Sequence, residues 1–100
     1  MELHSRKLLT IITEAALEKT LVREIEQLGA TGYTVTDARG KGTRGVRSAR
    51  WDACSNIRIE IIANNEIVTK ISSHLKDNYY NDYAMSIYVV EIGVWRPMKF

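Results

Sequence analysis

The chain has little cysteine and no long apolar segment. Its single cysteine, Cys54, cannot form an internal disulfide and suits a reducing cytoplasm. No apolar run approaches the length of a membrane span. The opening stretch Met1-Glu2-Leu3-His4-Ser5-Arg6-Lys7 lacks the apolar segment of a signal peptide, so a cytoplasmic protein is expected. The two histidines, His4 and His74, lie far apart with no second ligand at a metal-binding spacing; neither a metal nor a resident cofactor is expected. No Ser/His/Asp or Cys/His arrangement and no carboxylate pair suited to acid–base work is recognisable. No enzymatic activity is expected.

What is present is an ordinary globule. One hundred residues make one domain, 1–100, with a core small enough that about a third of the unfolded surface stays exposed. Hydrophobic residues make up 45% and charged residues 26%, and the net charge of +2 is too small to indicate a nucleic-acid binder by itself. The positive charge is concentrated. Five basic residues and no acidic one fall between Arg39 and Arg50; taking those five from the fourteen leaves nine basic side chains against twelve acidic. Glycines alternate with the cations in Gly40-Lys41-Gly42-Thr43-Arg44-Gly45-Val46-Arg47-Ser48. Main-chain N–H groups opened by glycine, beside guanidinium forks, are what a phosphate requires.

Read in order, the chain alternates strand and helix patterns. Arg6 to Thr13 is a short β-branched apolar run, expected to be a buried strand. Thr13 is placed to cap a helix, with Glu14 at its positive end. Leu17, Leu21, Ile25 and Leu28 form that helix's apolar stripe, and Gly29 is its left-handed stop. Tyr33 to Ala38 reads as a second strand, with Thr34 and Thr36 on one side. A loop follows from about Arg39 to Ser55. Asn56 to Ala63 alternates cleanly as a third strand, Ile57, Ile59 and Ile61 against Arg58 and Glu60. Asn64-Asn65 caps a second helix with Ile67, Val68, Ile71 and Leu75 buried, ended by Asp77-Asn78. Tyr83 to Trp95 is the last strand, closed by Pro97.

The order βαββαβ predicts an α+β, ferredoxin-like unit, an antiparallel sheet with both helices on one face. The other face would carry Leu8, Thr10, Ile12, Thr34, Thr36 and Ile62. Three of these are apolar where a monomer would place polar groups, so burial by self-association is expected. RNA-recognition modules share this element order but need aromatics on the open face. The central strands present Leu, Ile, Thr, Arg and Glu instead, and no nucleic acid is expected. A small RNA-binding or phosphate-handling ferredoxin-like domain is the alternative reading.

Thr31-Gly32-Tyr33-Thr34-Val35-Thr36-Asp37, Gly40-Lys41-Gly42 and Ile57-Arg58-Ile59-Glu60-Ile61-Ile62 resemble the PII signal-transduction superfamily. The loop Gly40 to Ser48 and Asn81-Asp82-Tyr83-Ala84 are similar to its PII-like branch of SbtB and carboxysome-associated PII (CPII) proteins. The resemblance runs from Lys7 to about Val94. It implies a homotrimer, adenine nucleotide bound in clefts between subunits, and a mobile loop at about 39–55 that meets partners. In the inorganic-carbon branch it further implies bicarbonate, a bicarbonate transporter or a carboxysome-associated protein, with a peripheral position at the inner membrane through such a transporter. The family's Gly- and Lys-rich segment before the last strand is absent here, where Asn78-Tyr79-Tyr80-Asn81-Asp82-Tyr83 stands, so ADP or AMP is favoured over ATP. The loop also has no tyrosine to accept uridylylation.

The resemblance assigns residues as well. Gly40 and Gly42 would line the nucleotide; a plain flexible turn is the other reading. Arg44 and Arg47 would reach phosphates, or else contact an acidic partner. Thr34, Ile12 and Ile62 sit where the family packs adenine, and simple sheet packing competes for the isoleucines. Arg58 and Glu60 lie on the open sheet face, where either they form interface ion pairs or Arg58 faces the ligand. Arg39, Lys41 and Arg50 raise the local potential of the partner-binding loop. Trp51 is either a partner hot spot or folds back onto the domain.

Overall fold

In the computed structural model, which describes residues 2–40 and 55–100, the sheet is built on β1 (His4–Glu14). This strand pairs antiparallel with β3 (Asn56–Ala63) on one side and β4 (Met85–Val94) on the other. β2 (Thr34–Ala38) pairs antiparallel with β3, giving the order β2-β3-β1-β4. α1 (Glu18–Gln27) follows β1, and α2 (Asn65–Tyr79) follows β3. The fold is the expected ferredoxin-like βαββαβ unit.

Alternation along the strands decides which side chains meet the helices. Leu9 and Ile11 of β1 and Ile57, Ile59 and Ile61 of β3 pack against Leu21 and Ile25 of α1 and Val68, Ile71 and Leu75 of α2. All of these except Ile57 and Val68 are completely inaccessible, and truncating one to alanine would cost roughly 2–5 kcal/mol. Both helices therefore cover one face of the sheet, and the second face is left to solvent or to another chain.

Helix ends follow their local chemistry. Gly29 has φ +114°, its N–H donates to Glu26 O at 3.1 Å, and Ala30 N–H donates to Ile25 O at 3.0 Å, a paired closure of the α1 terminus that calls for glycine. Asn64 caps α2: its Oδ1 accepts from Ile67 N–H at 2.9 Å.

Several boundaries differ from the sequence expectation. Thr13 does not cap α1. β1 continues in register with both neighbours to Thr13–Met85 and Glu14–Asn56, so Thr13 is buried in the strand. A single 3-10 turn, Ala15–Leu17, intervenes before α1, which starts without a side-chain cap. Two-sided strand pairing outweighs a local capping preference. Tyr33 lies outside β2, and β4 is shorter than 83–95 because its ladder ends with its β1 partners. α2 runs past Asp77-Asn78 to Tyr79, because Tyr79 buries its ring in the core.

A last 3-10 turn, Pro97–Lys99, is tied back to the body. The Arg6 guanidinium donates to Pro97 O at 3.0 Å and Phe100 O at 3.1 Å, and Thr31 Oγ1 donates to Lys99 O at 2.9 Å.

Candidate functional site

The uncovered sheet face gathers the described site candidates in cross-strand rows, since directly opposed residues share a face. Ile12 stands opposite Arg58 and Ser86, and Arg58 opposite Thr36. In the next row Thr10 stands between Glu60 and Tyr88, and Glu60 opposite Thr34. Leu8 then lies between Ile62 and Val90. Thr10 is 1% accessible although it points away from the helices, so its neighbours close over the centre of this face. Arg58 is exposed, while Ile12 and Ile62 are half-buried. Among the described residues neither Arg58 nor Glu60 has an ion-pair partner. They offer opposite charges, two residues apart, to whatever meets the face.

The rows separate the candidates. Ile12 and Arg58 are brought together, and Thr34 is one row away. Ile62 lies four residues beyond Arg58 on β3, about 13 Å along the strand. Ile12 and Ile62 of one chain are therefore too far apart to wall the same adenine ring. Arg39 and Gly40 are exposed just beyond β2, and Gly40 has open space where a Cβ would stand and no positive φ. Gly42, Lys41, Arg44, Arg47, Arg50 and Trp51 lie outside the described residues, as does Cys54.

Sequence reading missed Tyr88 and Val90, which are 47% and 49% accessible on the same face. Alternation along β4 could not have found them, because Ile87 and Val89 on the opposite side are apolar too. Strand order supplies what composition cannot: β4 is an edge strand, so Tyr88 stands at the border of this face. The two central strands carry no Phe, Tyr or Trp.

The base of the loop is knitted to its surroundings at residues 13–15. Ala15 N–H donates to Ser55 O at 3.0 Å, holding the returning arm of the loop. Thr13 Oγ1 donates to Ala84 O at 2.9 Å, and Ala84 N–H donates to Glu14 Oε2 at 3.3 Å, holding the turn between α2 and β4. One strand end thus fixes two segments, the loop arm and the α2–β4 turn.

That turn is also held from the helix side. Tyr79 Oη donates to Glu24 Oε1 at 2.8 Å, and His74 Nε2 lies 2.7 Å from the same oxygen. Asn78 Nδ2 donates to His74 O at 2.8 Å and lies 3.2 Å from His74 Nδ1. The Tyr79 and Tyr83 rings meet at 5.6 Å between centroids, and Asp82 and Tyr83 N–H groups both donate to Tyr79 O. Burial raises the Glu24 carboxyl, but the bonds from His74 and Tyr79 and the nearby His74 and Arg23 outweigh it and leave the group below its ordinary value. Burial, with the bond to Glu24 and its charge, pushes the Tyr79 phenol up to about 12. No group of three or more potential metal ligands occurs among the described residues, and none of their helices is long and apolar enough to cross a membrane.

Known proteins are similar to this chain over almost its whole length. The model of the family "Nitrogen regulatory protein P-II" matches residues 6–99. A PII-like signalling protein of Thermus thermophilus is 45% identical, with a TM-score of 0.85 over 100% of this chain and 99% of that one. CPII of Thiomonas intermedia K12, solved with ADP, AMP and acetate, is 25% identical, with a TM-score of 0.88 over 100% and 98% of the two chains. The same protein solved with ADP and bicarbonate is 26% identical, with a TM-score of 0.86 over 99% and 97%. A family match spanning nearly every described element, with a relative 45% identical over the whole chain, leaves one assignment: the chain belongs to the P-II family and is a PII-like signalling protein.

Proposed function

We infer that this protein senses adenine nucleotide, ADP or AMP in preference to ATP, together with bicarbonate, and signals inorganic-carbon status through its 39–55 loop. The observation that carries the reading is the whole-length likeness to a CPII solved with ADP and bicarbonate. The separation of the adenine candidates is compatible with it. Ile12 and Ile62 cannot share one base within a chain, but they can if one chain contributes Ile12 and its neighbour Ile62, as a cleft between subunits requires. A homotrimer that buries Leu8, Ile12, Ile62 and Val90 explains why so much apolar surface lies on the uncovered face.

In this reading the nucleotide phosphates meet Gly40, Gly42, Arg44 and Arg47, and Thr34 offers its hydroxyl to the base edge. Arg58 lies beside Ile12 and lines the same cleft. Binding orders the loop and changes which partner Arg39, Lys41, Arg50 and Trp51 can engage. The partner is a bicarbonate transporter or a carboxysome-associated protein, which places the molecule in the cytoplasm and, with a transporter, peripherally at the inner membrane. Membership of the SbtB and carboxysome-associated branch belongs to this reading too.

Calorimetry with AMP, ADP and ATP, each with and without bicarbonate, tests it. Micromolar binding of ADP or AMP, strengthened by bicarbonate, is the expected result. Absence of micromolar binding to all three nucleotides rejects the reading.

A further inference from the structure

The contacts around His74 select one tautomer of its neutral ring. Asn78 Nδ2 points at a carbonyl oxygen, His74 O, at 2.8 Å, so that atom is the amide nitrogen and carries hydrogens. The same nitrogen faces His74 Nδ1 at 3.2 Å, which makes Nδ1 an acceptor. The proton of a neutral imidazole must then sit on Nε2, where it is donated to Glu24 Oε1 at 2.7 Å. Adding a proton to Nδ1 sets two donors against each other. The Asn78 amide must turn away, and it cannot do so without giving up its bond to His74 O.

Asn78 stands next to Tyr79, whose carbonyl anchors Asp82 and Tyr83 and whose hydroxyl holds Glu24. Just beyond that pair, Ala84 is bonded through both its N–H and its C=O to Glu14 and Thr13, the strand end whose neighbour Ala15 holds the loop at Ser55. Hydrogen bonds, joined by single steps along the chain at Asn78–Tyr79, Tyr83–Ala84 and Glu14–Ala15, therefore link the imidazole to the base of the loop. The charged and titratable groups that bear on His74 are few. α1 supplies Glu24 and, beyond it, Arg23; the α2–β4 turn supplies Tyr83 through its contact with Tyr79; α2 itself supplies Tyr79, with Lys70 and Asp77 one turn away on the exposed side.

We propose that His74, with Glu24, Asn78 and Tyr79, is a positioning network for the α2–β4 turn and the loop base. Protonation of His74 releases Asn78, loosens the turn and lowers nucleotide affinity. Imidazole is the side chain whose charge changes between about pH 8 and pH 5. The network thus adds proton concentration to the inputs of a sensor that otherwise reads nucleotide and bicarbonate. The nucleotide part of this proposal rests on the proposed function; the structural part does not.

Two measurements test it. In the protein without nucleotide, the backbone amide resonances of Asn78, Ala84 and Ala15 are followed by NMR while His74 is titrated. They should move with the His74 ring resonances, and in His74→Gln that movement should vanish. Calorimetry with ADP then compares the wild type with His74→Gln across the same pH range. Glutamine keeps a donor toward Glu24 but takes no proton, and titration of the nucleotide's own phosphates cancels in the comparison. The wild type should lose about fivefold more affinity at low pH than the variant. The proposal is overturned if the three amides ignore the His74 titration, or if both proteins bind ADP with the same pH profile. If ADP binds neither protein at any pH, the proposed function fails, and the amide titration alone decides whether the network exists.

Discussion

Tyr79 Oη and Glu24 Oε1 lie 2.8 Å apart and join the last turn of α2 to the middle of α1. The bond needs a protonated phenol and an ionised carboxylate, so it is weakened from both ends of the pH scale. Tyr79 titrates at about 12, above the ordinary value of 10.0. A raised folded value means that its contribution is complete below about 10 and is lost as pH rises through about 12. Glu24 is held below its ordinary 4.5, so its contribution is present above that value and is lost as pH falls through the lower folded one. Thermal melts across pH should show both limbs. Tyr79→Phe should lower stability by about 1 kcal/mol near neutrality and flatten the alkaline limb, because one hydrogen bond is removed while the ring stays packed. An unchanged alkaline limb in that variant would show that the bond makes no contribution.

Gly29 should resist replacement. Its φ of +114° is a conformation that a Cβ disfavours, and a built Cβ stands 3.4 Å from Ile67 Cδ1. Gly29→Ala is expected to cost about 1–2 kcal/mol, read as a lower urea midpoint with an unchanged slope.

Val90 is 49% accessible on the uncovered face, opposite Leu8. Val90→Lys should leave the fold of one chain intact, since the side chain is half exposed on the face away from the helices. In an assembly that buries this face, the ammonium would be desolvated. Sedimentation is expected to show a trimer for the wild type and smaller species for the variant; a trimer for both would place the assembly surface elsewhere.

Arg44 and Arg47 are expected to act on ligand and not on fold. A charge-assisted hydrogen bond contributes roughly 1.5–3 kcal/mol. Arg44→Ala or Arg47→Ala should therefore weaken ADP binding by about tenfold to a hundredfold while the melting temperature without nucleotide stays the same. Equal affinity in both variants would leave the arginines to a protein partner.

Local chemistry is readable wherever a residue's role depends on its near neighbours. Alternation in Asn56–Ala63, the stripe Leu21–Ile25, the cap at Asn64 and the stop at Gly29 all depend on contacts within a few residues, and each stands where its pattern places it. Thr13 departs from its local pattern for the opposite reason. Its fate is decided by Met85 and Ala84, far along the chain, and two-sided pairing makes it a buried strand residue that holds a turn.

The amino-acid order alone determined the βαββαβ unit and the concentration of cations in one loop, because periodicity, capping and charge are properties of adjacent residues, and its motifs carried the resemblance to the family. Only the tertiary structure decided that Ile12 and Ile62 stand rows apart, that Tyr88 and Val90 join the uncovered face, and that Glu24 and His74 share a proton between helices. Those relations depend on strand register and helix docking, which are set by the summed burial of the core and leave no mark on any short stretch of chain.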